Sequence, residues 1–173
     1  MTRNVQRTKI MISKTMQEAI NSQIKNEFYS AYLYLGMAAY FEANNLPGSA
    51  KWMRTQHAEE QAHAMKFFEY VLDRGGRVTL QALDQPPADF ESPVAVWDAV
   101  VEHERQVSAS IHKLYELALH EKDYATQALL TWFITEQVEE EKNATLMAEQ
   151  FRLAGRNPAY LLMFDGHFTK RGV

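Results

Sequence analysis

The stretch from His57 to His63, His-Ala-Glu-Glu-Gln-Ala-His, carries carboxylates and imidazoles at spacings that a helix makes useful. Met53, Glu60, Phe67 and Val71 fall in heptad phase. On a helix of about 3.6 residues per turn they share one stripe, with His63 beside Glu60. An apolar stripe faces the core, so Glu60-x-x-His63 points inward. A buried carboxylate without a partner costs several kcal/mol, so this one must be protonated, paired or bound to a metal.

Three more apolar seams are interrupted in the same way. Glu27 and Tyr34 break the run Ile20, Ile24, Ala31, Ala38, Phe41. Glu104 breaks Trp97, Val100, Ile111, Ala118, and Gln137 and Glu140 break Leu129, Phe133, Ala144, Met147, Phe151, Ala154. Each interruption lies at a similar depth from its helix start, so antiparallel helices bring them together near mid-bundle. Four uncompensated carboxylates would cost more than the roughly 5–15 kcal/mol of net stability a domain possesses. No lysine or arginine occupies these seams, whereas two divalent cations would balance Glu27, Glu60, Glu104 and Glu140 charge for charge. Carboxylates with one imidazole suit iron or manganese better than structural zinc, which prefers thiolate and imidazole, or calcium, which prefers oxygen alone. Glu60 is the natural bridge for a metal pair about 3.5–4 Å apart.

Each feature alone has a plainer explanation. Glu-x-x-His by itself is a solvated helix face more often than a ligand pair, and Tyr34 by itself is a core tyrosine with a satisfied hydroxyl. Glu139-Glu140-Glu141 is by default a solvated charge cluster, as are Glu59, Glu136 and Glu139, about one position off the seams. Met53, Met65 and Met147 are core filler. The coincidence of four seams, each broken at matched depth by ligand-type residues, favours the metal.

The elements that must position these groups are marked by breaks at Pro47, Pro86, Pro87, Pro93 and Pro158. One helix is predicted from about Ser13 to Asn44 and a second from Pro47 to the Gly75-Gly76 pair. A third runs from the Ser92-Pro93 cap to about Lys122, and a fourth from Asp123 to Gly155. Asn157-Pro158 opens a short fifth helix, Pro158 to Phe164, too apolar for a free tail. Short turns make the first two helices, and likewise the third and fourth, antiparallel. The middle connection, about 17 residues and up to roughly 56 Å when extended, can cross a helix of about 42 Å. The expected fold is therefore an all-α four-helix bundle with one long crossover. Residues 13–166 form it, residues 1–12 are a loose N-terminal arm, and 167–173 a C-terminal tail.

At 173 residues the chain is one domain in size. A net charge of −4 and a pI near 5.9 argue against nucleic acid or an anionic membrane as partner. With zero cysteines there is no disulfide framework, thiolate site or cysteine nucleophile. No apolar run approaches the roughly 18 residues that span a bilayer, and Ile10–Ile12 is too short for a secretory signal, so a cytoplasmic location is expected. His57 and His63 lie on different faces, which excludes a His-Glu-x-x-His protease helix. Asn143-Ala144-Thr145, mid-helix, is discounted as a glycosylation site.

Taken together these residues resemble the prokaryotic non-haem ferritins, from about Met11 to Phe168. The likeness rests on Asn26-Glu27-Phe28-Tyr29-Ser30 with Tyr34, on His57 to His63, on Glu102-His103-Glu104, and on Thr135-Glu136-Gln137-Val138-Glu139-Glu140-Glu141-Lys142. Ferritin-like bundles are themselves the type example of one long crossover. The resemblance implies a ferroxidase pair, with Glu27, Glu60 and His63 holding one iron and Glu60, Glu104 and Glu140 the other, and with Tyr34 and Gln137 behind them. It implies a weaker third iron on Glu59, Glu136 and Glu139, with Glu140 shared. It also implies a role for Trp132 in electron supply, a fifth helix buried at an oligomer interface, and a 24-chain cage storing ferric mineral. Dioxygen or hydrogen peroxide would be the oxidant. The bacterioferritins and rubrerythrins carry a second Glu-x-x-His where this chain has Gln137 and Glu140, and haem is not expected at Gln61. A di-iron oxidase or peroxidase acting on another substrate, and a non-catalytic metal-buffering bundle, remain the rival readings. The three-fold channel carboxylates of animal ferritins have no counterpart between Tyr124 and Thr131.

Overall fold

The computed structural model describes residues 11–155 and 157–170, which form five helices: α1 (Lys14–Ala43), α2 (Pro47–Asp73), α3 (Pro93–His120), α4 (Tyr124–Ala154) and α5 (Pro158–Lys170). The caps are those the side chains dictate. Ser13, Ser92 and Asp123 accept hydrogen bonds from the N–H groups of Met16, Ala95 and Thr126, each satisfying a donor the helix cannot. Pro47 occupies the first turn of α2 without loss of a hydrogen bond. Gly155 ends α4 at φ +61°, a left-handed conformation that glycine adopts without strain.

Contacts between the ends set the topology. The Arg74 guanidinium, at the end of α2, makes a bidentate pair with Asp123 at 2.9 and 3.1 Å, and Ser13 Oγ donates to Glu121 at 2.6 Å. The starts of α1 and α4 therefore lie beside the ends of α2 and α3, which makes α2 and α3 parallel. The crossover is strapped along α1. Asn21 donates to the Arg77 carbonyl and accepts from the Thr79 N–H, the Arg77 N–H donates to Gln17, and Pro86 and Pro87 lie against Gly36. It thus travels from the start of α1 toward its end, as a bundle-length crossover must.

Two apolar clusters fill the bundle. One contains Ile20, Ile24, Phe67, Val71, Ile111, Leu130 and Phe133. The other contains Met37, Phe41, Met53, Trp97, Val100, Met147 and Phe151. Between them in sequence on every long helix lie buried polar residues: Glu27, Ser30, Glu60, His63, Glu104, Gln137 and Glu140. The core is therefore two hydrocarbon plugs flanking a belt of carboxylates.

Some expectations need correction. Leu130, not Leu129, is the buried leucine at the start of α4, because the seam there is entered one position later. Met65 is 40% exposed and fills no core. Ile12 is not part of a loose arm, since its N–H donates to the Arg74 carbonyl and its side chain is buried. Residues 1–10 lie outside the described residues. Helix α5 continues past Phe164 and the expected boundary at 166, to Lys170. Within the single chain its Tyr160, Leu162 and Met163 stay exposed, while Asp165 and Phe168 supply the buried face. Phe168 stacks on Phe151 and packs against Trp97, and Asp165 accepts from the N–H groups of Gly48 and Ser49 at 2.8 and 2.6 Å. Leu46 offers α2 no side-chain cap, so α5 caps α2 from outside.

Candidate metal centre

Each long helix delivers its ligand-type residues to the belt because they replace hydrocarbon on the seam that faces the core. Glu27, Glu60 and Glu104 are 1–2% exposed, and His63, Gln137 and Glu140 are also buried. Among the described residues Glu27, Glu60 and His63 form a triad whose ligand atoms all lie within 4.8 Å of one another. His63 Nδ1 is 3.4 Å from Glu60 Oε2. Oε2 of Glu27 and Oε2 of Glu60 are enclosed and accept no hydrogen bond. Two buried carboxylate oxygens without hydrogen bonds, beside an imidazole, are a donor set suited to a cation. Glu104 and Glu140 lie in the belt but outside this triad.

Hydrogen bonds hold four other oxygens of the belt, one on Glu27, two on Glu104 and one on Glu140. The Tyr34 hydroxyl donates to Glu104 Oε1, and Gln137 Nε2 donates to Glu104 Oε2 at 3.2 Å and to Ser108 Oγ at 3.3 Å. Gln23 donates to Glu27 Oε1 at 2.8 Å, and Gln56 donates to Glu140 Oε2 at 2.7 Å. No lysine or arginine is buried among the described residues. Among the described residues the belt therefore has no lysine or arginine as an internal counterion, and His63 is the basic side chain within it. Burial first, and then the Glu60 charge, pushes Glu27 well above the usual carboxylate range. Burial and then the Glu104 charge do the same to Glu60, and burial with Glu104 raises Glu140 from 4.5 to about 7. Tyr34 is pushed up by burial and by the Glu104 charge beside it, so its hydroxyl stays a donor.

The flanking glutamates behave differently. Glu59 and Glu139 are exposed and Glu136 is half-buried. Burial raises Glu59, and the charges of Glu136 and Glu139 raise it further, which puts the three within electrostatic reach of one another. Their carboxylates do not converge as the Glu27–Glu60–His63 triad does. Trp132 is partly exposed, stands edge-on to His63 at 5.5 Å and carries the Lys66 ammonium 3.6 Å from its ring centroid. His57, on another face of α2, contacts the Ala31 carbonyl at 2.8 Å.

Gln23, Gln56 and Ser108 went unread in the sequence. The signal was available. Gln23 and Gln56 each precede a seam glutamate by four residues, and Ser108 follows Glu104 by four, so all three share the inward stripe.

An all-α bundle with a carboxylate belt and one imidazole defines the class of helical carboxylate metalloproteins. A profile of the ferritin-like domain matches residues 17–154, and the chain belongs to this family. It is 42% identical over 161 residues to a bacterial non-heme ferritin of Bacteroides fragilis, covering 93% of this chain and 100% of the relative. It is 37% identical over 131 residues to one of Staphylococcus aureus, covering 76% and 79%. An open-pore ferritin from the archaeon Archaeoglobus fulgidus superposes with a TM-score of 0.91 at 48% identity, over 93% of this chain and 98% of that one. An engineered closed form of the same ferritin gives 0.91 at 49% identity.

Proposed function

We propose that this chain is an iron-storage ferritin whose carboxylate belt is a ferroxidase centre, working in an oligomeric cage. Support comes from the family, from relatives named as non-heme ferritins, and above all from the buried triad of Glu27, Glu60 and His63 with its two unpartnered oxygens. Iron is the substrate and the cargo. Glu27, Glu60 and His63 bind one Fe(II), and Glu60, Glu104 and Glu140 a second, with Glu60 shared. Two Fe(II) ions each give one electron to dioxygen, which takes up two protons and leaves as hydrogen peroxide. Peroxide in turn takes one electron from each of a further Fe(II) pair and two protons, and leaves as two water molecules. Hard anionic oxygen ligands favour the higher charge of Fe(III), which drives the electron transfer outward. Tyr34 and Gln137 hold Glu104 oriented throughout, and the ferric product passes to mineral inside the cage. Glu59, Glu136 and Glu139 form a weaker, all-oxygen third position, more solvated than the pair. A cytoplasmic location fits this reading, and no helix among the described residues is long and apolar enough to cross a membrane.

The test is stopped-flow Fe(II) oxidation in air with dioxygen uptake, followed by gel filtration and iron assay. Rapid oxidation of two Fe(II) per chain, with hundreds of irons retained in a large assembly, is expected. Oxidation without retained iron would favour a di-iron oxidase acting on another substrate, and retention without catalysed oxidation a passive buffer.

A further inference from the structure

Two buried glutamines stand behind the centre. Gln23 Nε2 donates to Oε1 of Glu27 at 2.8 Å, and Gln56 Nε2 donates to Oε2 of Glu140 at 2.7 Å. Both are enclosed, at 2% and 5% exposure. In Glu27 the opposite oxygen, Oε2, is enclosed and has no hydrogen-bond partner. Gln23 is on α1 with its target one turn away, whereas Gln56 reaches from α2 to α4 and ties these helices at the level of the belt.

We infer that Gln23 and Gln56 are positioning residues of the ferroxidase centre, neutral amide clamps that each hold one oxygen of a metal carboxylate and present the other to the cation. The inference rests on the ferroxidase reading above. A flexible glutamate can offer a cation either oxygen, both, or neither, and a donor fixed on one oxygen removes that freedom. The donor must be uncharged. A lysine or arginine would hold the carboxylate as well but would supply the positive charge that the cation is meant to supply, and the belt holds none. A serine would be too short to cross from α2 to Glu140. Glutamine is the side chain that combines reach, a donor and neutrality. Because the two clamps act on different carboxylates, they act on different metals: Gln23 on the position shared with His63, Gln56 on the position shared with Glu104.

The test uses Co(II) as probe, read by its visible absorption, on the assembled iron-free protein and on Gln23→Met and Gln56→Met, which keep shape and lose the donor. His63→Ala identifies the absorption band of the imidazole-bound position. Gln23→Met should weaken that position about tenfold or more and leave the other near the parent value. Gln56→Met should do the reverse. Gln23→Asn and Gln56→Asn, which keep an amide one methylene short, should fall between Met and parent, and read the same quantity should a Met variant not fold. Gln56→Lys should fold as the parent yet lose the Glu140-side cation. The inference is overturned if the Met variants bind both ions as the parent does. It is equally overturned if each weakens both positions together with a lower melting temperature, which is the mark of a merely structural role. If the parent itself binds no pair of Co(II) and oxidises no Fe(II), the ferroxidase reading fails first.

Discussion

The oxygens of Glu27 and Glu60 that accept no hydrogen bond make a sharp demand on the residue scale, because an enclosed carboxylate oxygen without a hydrogen bond is costly. Removing a ligand relieves that cost in the iron-free protein while destroying the site. Glu60→Ala and His63→Ala should each slow the initial Fe(II) oxidation by at least about a hundredfold, and Glu60→Ala, which removes one of the buried carboxylates, should melt at or above the parent temperature without metal. Stopped-flow absorbance and calorimetry on the same preparations check both halves. The raised carboxylates also fix the sign of a pH effect. Burial lifts Glu140 from 4.5 to about 7 in the folded chain, so between these values the native state holds a proton the unfolded state has released. That contribution to stability is present below pH 4.5 and is lost as pH rises toward 7; Glu27 and Glu60, raised for the same reason, act in the same direction. The metal-free melting temperature should fall over this window, and saturating Co(II) should remove this fall, since binding expels those protons from the native state. A third expectation concerns the outlying cluster. The double variant Glu136→Ala, Glu139→Ala should oxidise the first two Fe(II) per chain nearly as the parent does. It should change the iron-to-dioxygen ratio or slow later additions, and identical behaviour through many rounds would remove the third position.

At the scale of elements, α5 is tied to the bundle by a short list of contacts. Asp165 replaces the N-cap that Leu46 does not offer α2, donating nothing and accepting from two N–H groups and from the Ser49 hydroxyl at 2.7 Å. A Cβ on Gly48 would stand 1.9 Å from the Asp165 carbonyl oxygen, so glycine is required for the helices to approach this closely. Asp165→Ala should cost about 2 kcal/mol, seen as a drop of about 5 °C in melting temperature. Gly48→Ala should loosen α5 as well, with faster amide exchange along Pro158–Lys170 while the centres of α1 to α4 stay protected. Neither change touches the carboxylate belt, so the initial oxidation of Fe(II) should persist.

On the scale of the whole molecule, the chain leaves apolar side chains uncovered on several faces: Leu80 and Leu83 on the crossover, Tyr124 at the start of α4, and Tyr160, Leu162 and Met163 on α5. A single surface leucine means little, but this many on separate faces fits a subunit with several neighbours. Multi-angle light scattering should give a mass many times the 20.0 kDa of one chain. A monomer at micromolar concentration would end the cage reading.

The four long helices and their caps were legible because local rules govern them: heptad seams, Ser13, Ser92 and Asp123 at the caps, prolines in first turns and Gly155 at an end. The inward-facing carboxylates and imidazole were legible for the same reason, since Glu27, Glu60, His63, Glu104 and Glu140 break seams whose period is plain and are buried in the fold. Which oxygen of each carboxylate is already taken was not legible, because it depends on side chains from other helices, as when Gln56 on α2 reaches Glu140 on α4. The true length of α5, the burial of Ile12 and the exposure of Met65 also required the fold. Periodicity says which face a residue is on, but not whether a neighbour covers that face. Asp165 shows this most clearly. In sequence it reads as one charged residue near the end of an apolar segment, and only tertiary structure puts it against the uncapped N–H groups of a helix that begins more than a hundred residues earlier.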